Sequence, residues 1–168
     1  MITDVSRERL ARSIVALLDE AFEGPKEKWS WFTDVDPNAG ILGVLGSLSH
    51  EAASTRPGPD RSTIVAHAEH VRFSLSLANR AVRGENPYAT ANWKESWAVQ
   101  SVDEAGWERL REALRQEYRA LREAVESGDG WLEPEEALTG TLANVVHVGY
   151  HLGAIRQMAR SLEGAGAR

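Results

Sequence analysis

Apolar residues recur every three to four positions along most of this chain, the spacing of helices that bury one face. Leu10, Ile14, Leu17 and Leu18 mark the first such stretch, and Gly24-Pro25 ends it. Ile41 to Ser54 predicts a short helix weakened by Gly43 and Gly46. A second long helix is expected from about Ser62 to Arg83, with Asp60 or Ser62 as N-cap and Gly84 beyond its end. Ser101 and Glu104 make an S-x-x-E capping box that opens a third. Its period runs through Trp107, Leu110, Leu114, Tyr118, Leu121 and Val125 to the break at Gly128-Asp129-Gly130. Pro134 opens a fourth, with Glu135 and Glu136 in its positive first turn, and the pattern reaches about Leu162. No run of alternating residues makes a convincing strand, and no internal repeat is visible.

This pattern predicts an all-α protein, a four-helix bundle forming a single domain over residues 1–168. The connections after the first and second long helices are long, so simple hairpins are not the only topology open to it. Trp29, Trp31 and Phe32 lie in the first connection, 25–39, and Trp93 and Trp97 in the second, 85–100. Such aromatics either cap the bundle ends or line a ligand cleft, and capping is the simpler expectation. Trp107 belongs to the core. Arg109, Arg111, Arg115, Arg119 and Arg122 alternate with Glu108, Glu112, Glu117 and Glu123, which reads as a solvated face.

Composition narrows the function. The formal net charge is −6 with no basic tract, which argues against nucleic acid and against an anionic membrane surface. The chain has no cysteine, so disulfides, iron–sulfur clusters and thiolate zinc sites are excluded. Any metal site must use nitrogen and oxygen ligands. A cysteine-free chain fits a reducing, cytoplasmic location. MITDVSRERLARS lacks the apolar centre of a signal peptide, and no apolar stretch is long enough to span a bilayer.

The histidines carry the chemistry. Of five, four fall in two helical clusters: His67 with His70, and His147 with His151. The second pair is four residues apart, so both rings lie on one helix face, in the apolar segment ANVVHVGYHLGAI. Its stripe reads Gly140, Ala143, Asn144, His147, His151, Ala154, Met158, with Leu142, Val145, Val146, Leu152 and Ile155 as the adjoining core face. The plain alternative is that these are packed, hydrogen-bonded core histidines. If the second and fourth long helices are neighbours, three or four imidazoles meet, and such a cluster suits a divalent metal ion. Val148 follows His147, so the H-E-x-x-H metalloprotease pattern is absent.

STIVAHAEHVRFSL, VVHVGYHLGAIRQM and the tryptophan-rich linker between the second and third long helices resemble the DinB/YfiT-like metalloenzyme family over nearly the whole chain. The resemblance implies one histidine early in the second long helix and an H-x-x-x-H in the last as metal ligands, with positions left open for substrate. His147 and His151 match the last pair. In relatives the first ligand follows the apolar residue that opens the helix by six positions, which from Ile64 gives His70. His67 then stands behind the ligands or substitutes for His70, and Asn144 is a further supporting candidate. The resemblance also implies a metal-dependent enzyme, a thiol-dependent S-transferase or a hydrolase, with zinc or nickel and a low-molecular-weight thiol as cofactors. A small-molecule substrate and a homodimer are expected. The alternative is a non-catalytic, stress-related metal-binding or structural module with a vestigial site.

Three neutral histidines leave a divalent ion its full charge, able to activate water or hold a thiolate. Acid–base candidates are few. Asn144 could hydrogen-bond a ligand, Tyr150 reads as packed, Glu69 as solvated and His50 as a surface residue. Acid should displace metal near the ordinary imidazole pKa of about 6.5.

Overall fold

The computed structural model describes residues 6–128 and 130–166, the side chains of 163–166 excepted. Asp129, in the expected break, and the first five residues of the N-terminal segment lie outside them. Among the described residues every regular element is helical: α1 (Arg7–Glu23), α2 (Ile41–Gly46), α3 (His50–Ser54), α4 (Ile64–Val82), α5 (Glu104–Ser127) and α6 (Glu135–Gly166), with two 3-10 turns between α4 and α5. None is long and apolar enough to cross a membrane.

The four long helices close a circuit, α1 against α5 and α6, and α4 against the same two. Residue pairs fix their directions. Asn79 of α4 donates to the Glu117 carbonyl at 2.9 Å, and Thr63 meets Gln100 just before α5, so α4 and α5 run parallel. Arg7 reaches the Gly128 carbonyl and Asp19 reaches Tyr118, so α1 is antiparallel to α5. His67 and Ser74 of α4 face His151 and Asn144 of α6, making that pair antiparallel. The order is up, down, down, up, and two parallel helices joined in sequence require the long linker seen between them.

Ile14, Leu18, Leu75, Leu114, Leu121 and Ile155 fill the centre, none more than 1% exposed. Trp107 is buried as expected, its indole N–H donating to the Leu48 carbonyl at 3.0 Å. Two members of the expected α6 core are instead on the surface, Leu142 and Val146, and Val148 takes the inner position. The two-faced apolarity of this helix hid which side turns inward.

The caps also differ. Neither Asp60 nor Ser62 caps α4. Thr63 does, accepting from Ala66 N, because its hydroxyl also donates to the Gln100 carbonyl and so fixes the turn. At α5 the cap is Asp103, accepting from Gly106 N at 2.7 Å, rather than Ser101. The segment 41–54 forms two helices, since Ser49 starts a new one by accepting from Ala52 N. Arg122 departs from the solvated face. It pairs with Asp19 at 2.8 Å, which also accepts from the buried Tyr118.

The connection after α1 is organised by a buried carboxylate. Gly24 ends the helix at φ 87°, a conformation that favours glycine. Glu20 then accepts from the backbone N–H of Trp31, Phe32 and Thr33 and from the Thr33 hydroxyl, at 2.8–2.9 Å. Burial alone would raise its pKa. The donors of Phe32, Trp31 and Thr33 outweigh burial and hold it below the usual carboxylate range. A depressed folded pKa gives stability that is present above the unfolded value of about 4.3 and is lost as pH falls through the folded one. Glu20→Gln should therefore cost about 1–3 kcal/mol at neutral pH, and the gap to wild type should close below about pH 4. Urea denaturation at several pH values measures both.

Candidate metal centre

The α4–α6 seam stacks polar residues in matched pairs. His67 Nδ1 lies 2.9 Å from His151 Nδ1, His70 Nε2 lies 3.2 Å from His147 Nε2, and the Ser74 hydroxyl donates to Asn144 Oδ1 at 3.3 Å. Each step is one helical turn, so the antiparallel helices keep register over all three. His151 Nε2 also lies 3.0 Å from His147 Nε2. One nitrogen each from His70, His147 and His151 therefore falls in a group no more than 4.8 Å across, with His70 and His151 buried and His147 half-buried. His70 is buried and faces the cluster, and His67, one turn earlier, faces it as well.

The remaining ring nitrogens are held from behind. Ser96 lies in the second 3-10 turn (Glu95–Trp97) and its Oγ is 2.7 Å from His70 Nδ1. That hydroxyl gives its own proton to the Trp93 carbonyl, so it accepts from His70 Nδ1–H and leaves the His70 Nε2 lone pair aimed at the cluster. A single proton lies between His67 Nδ1 and His151 Nδ1. When His151 supplies it, His151 Nε2 keeps its lone pair as well. His147 Nδ1 is buried with no hydrogen-bond partner among the described residues.

A cation fits this donor set. His147 Nε2 faces two lone pairs and could donate to only one of them, so at least one close nitrogen pair would be repulsive. Metal–nitrogen bonds of about 2.1 Å in tetrahedral array put ligand nitrogens about 3.4 Å apart, near the 3.2 Å of the His70–His147 pair and the 3.0 Å of the His147–His151 pair. Three neutral nitrogen donors with no carboxylate among them are compatible with a divalent ion.

Aromatic rings enclose the cluster. Trp97 stacks on His70 with centroids 4.1 Å apart and meets His67 edge-on at 5.1 Å. Trp93 packs on His70 and Phe73. Trp97 thus covers the histidines instead of capping a bundle end, while Trp29, Trp31 and Trp93 are largely exposed. Gln100 anchors this strap, its side chain accepting from Thr63 N and donating to the Trp97 carbonyl.

The other candidates are placed as follows. Asn144 is buried one turn below His147, and its hydrogen bonds go to the Ser74 hydroxyl and the Gly140 carbonyl rather than to a histidine. Tyr150 is 73% exposed rather than packed in the core, and its ring meets His151 edge-on at 5.1 Å. Glu69 is not freely solvated, because it forms a half-buried pair with Arg72. His50 lies away from the cluster, beside Glu51. The sequence reading missed Ser96. Its one signal was a serine three residues after Trp93, the spacing at which a hydroxyl turns back to a carbonyl.

Two hollows lie along the α4–α6 seam. A groove of about 710 Å3 is lined by His67, Tyr150, Arg61, Ser62 and Gln157. A more apolar cleft of about 540 Å3 reaches Asn144 from the other side, between Tyr88 and Gly140. Both are of the size that takes a small molecule.

Fold and site together define an all-α protein with a largely buried three-histidine cluster between two of its long helices. The sequence profile of the DinB superfamily matches residues 39–155, and the chain belongs to that superfamily. No curated protein matches it, and no solved structure does.

Burial lowers the pKa of all four clustered histidines. With the neighbouring rings adding to burial, His70 falls to about 4 and His151 to about 3. The folded protein therefore refuses protons that the unfolded chain takes up below about pH 6.5. The stability of metal-free protein should be at its full value above that pH and decline as pH falls toward 4, before the Glu20 window opens. A denaturation midpoint unchanged between pH 7 and pH 5 would contradict buried neutral rings.

Proposed function

We propose that His70, His147 and His151 hold one divalent metal ion, zinc or nickel, and that the protein is a metal-dependent enzyme acting on a small molecule. The observation that carries this reading is the convergence of three imidazole Nε2 atoms whose Nδ1 atoms, in two of the three, are already engaged. Ser96 and His67 set ring orientation and tautomer, the role that outer partners play around metal-ligating histidines. Trp97 shields the cluster from bulk water on one side. A bound ion would supply a Lewis-acid centre for activating water or a thiol.

The reaction class follows from what the chain lacks and offers. No side-chain thiol is present, so an S-transfer would draw its sulfur from a low-molecular-weight thiol seated beside the histidines. Arg61, Ser62 and Gln157 give the outer groove polar groups for such a molecule. The same site without a thiol would serve hydrolysis.

Elemental analysis of untagged protein should find about one metal ion per chain. His147→Ala and His151→Ala should lose it while circular dichroism stays helical, because the apolar core does not depend on the ion. Ser96→Ala should weaken metal affinity about 10- to 100-fold. Because burial holds the rings neutral, metal content should stay level as pH falls through 6.5 and drop only toward the pKa values of about 4 and about 3 at His70 and His151.

Cobalt-substituted protein separates the reactions. Added thiol should produce sulfur-to-metal charge transfer for an S-transferase. A hydrolase should turn over activated esters or amides without thiol. Protein that retains metal but does neither would sink the enzymatic reading and leave a metal-binding module.

A further inference from the structure

The groove that reaches His67 and the cleft that reaches Asn144 differ in charge. Glu85 and Glu136 line the cleft, and no lysine or arginine does. The groove is lined by Arg61 and by no acidic residue, on a chain whose formal net charge is −6. Arg72, Arg80, Arg122 and Arg156 each pair with a carboxylate. Arg61 forms no such pair among the described residues, and its neighbour Asp60 does not line the groove. The backbone of Arg61 is held in place, its carbonyl accepting from Arg56 at 2.8 Å. Its Cγ lies 3.7 Å from the point where a Cβ would stand at Gly58, so the stem of the side chain runs along that glycine. A guanidinium without a counter-ion on a groove wall offers its charge to a ligand.

A second donor follows from the histidine pair. When His151 supplies the proton between the two Nδ1 atoms, His67 Nδ1 is the acceptor. Burial holds the His67 pKa below its ordinary value, so the ring is neutral. A neutral imidazole carries one proton, and His67 then carries it on Nε2. Among the described residues the only hydrogen bond of His67 is through Nδ1, which leaves Nε2–H for an occupant of the groove. This chain of donors has a direction. An acceptor in the groove favours the proton on His67 Nε2. That favours the proton on His151 Nδ1, and the His151 Nε2 lone pair stays aimed at the cluster.

We propose that the groove binds a carboxylate of a small molecule between Arg61 and His67 Nε2–H, and that this carboxylate selects the tautomer of His151. One cation on the wall matches one negative charge, and the planar fork of a guanidinium matches the two oxygens of a carboxylate. Ser62 and Gln157 add neutral donors. Any effect on metal affinity rests on the metal reading above, whereas the carboxylate site and the tautomer it selects do not.

Calorimetry and NMR of the histidine ring nitrogens, on the full chain stripped of metal with a chelator, test this at neutral pH. Butyrate should bind, and its uncharged analogue butyramide should bind at least about tenfold more weakly. Arg61→Ala should weaken butyrate binding by a similar factor with helix content unchanged, since Arg61 lies outside the helices. Arg61→Lys should recover only part of the loss, because an ammonium lacks the fork. Butyrate should shift the His67 ring toward the Nε2–H tautomer and His151 toward Nδ1–H, and His67→Phe should remove the response at His151. Butyramide binding as tightly as butyrate, full affinity in Arg61→Ala, or a His67 proton on Nδ1 in the butyrate complex overturns the proposal. So does inorganic phosphate binding more tightly than butyrate. None of these readouts uses a metal, so a protein that binds butyrate in this way and takes up no metal would sink the metal centre alone.

Discussion

The antiparallel register of α4 against α6 is the constraint on which the site depends. It puts His67 by His151, His70 by His147 and Ser74 by Asn144 on successive turns. Polar groups inside an apolar core cost free energy unless they find partners, and here each helix supplies partners to the other. A slip of one turn would leave several buried nitrogens and oxygens unpaired at once. The seam is therefore specified by its polar residues, while the apolar ones around it supply most of the stabilisation.

The linker before α5 answers a second constraint. Because α4 and α5 run parallel, the chain must travel back along α4, a helix of 19 residues and hence about 28 Å. That return path lays Trp93, Ser96 and Trp97 over His70. Thr63 and Gln100 fasten its far end to the start of α4. A connection that topology makes long is thus the segment that orients a ring of the cluster.

Much of this was legible in the sequence. The period of apolar residues gave the four long helices to within a few positions, and the pairing of histidines on two of them gave the cluster. The choice of His70 over His67 rested on the family resemblance, which counts six positions from Ile64. What stayed hidden depends on three-dimensional context. Thr63 and Asp103 cap helices because of tertiary contacts and local turn geometry, which no spacing reveals. Leu142 and Val146 sit in a helix apolar on more than one side, where periodicity cannot choose the inner face. Ser96 and Trp97 act from an irregular segment, and such segments carry no period to read.

The register has a consequence for how this chain can change. His67, His70 and Ser74 are matched to His151, His147 and Asn144 by counting turns from opposite directions, like two rulers laid against each other. Replacing a residue within either ruler alters only that residue's own contacts. Adding or removing a residue within it rotates everything beyond by about 100° and shifts it by about 1.5 Å, so every later mark misses its mate. The segments from residue 67 to 74 and from 144 to 151 accordingly tolerate substitution only outside the paired positions, and are fixed in length. Insertions are admitted only in the connections, including the loop of residues 25–39 and the linker upstream of Trp93.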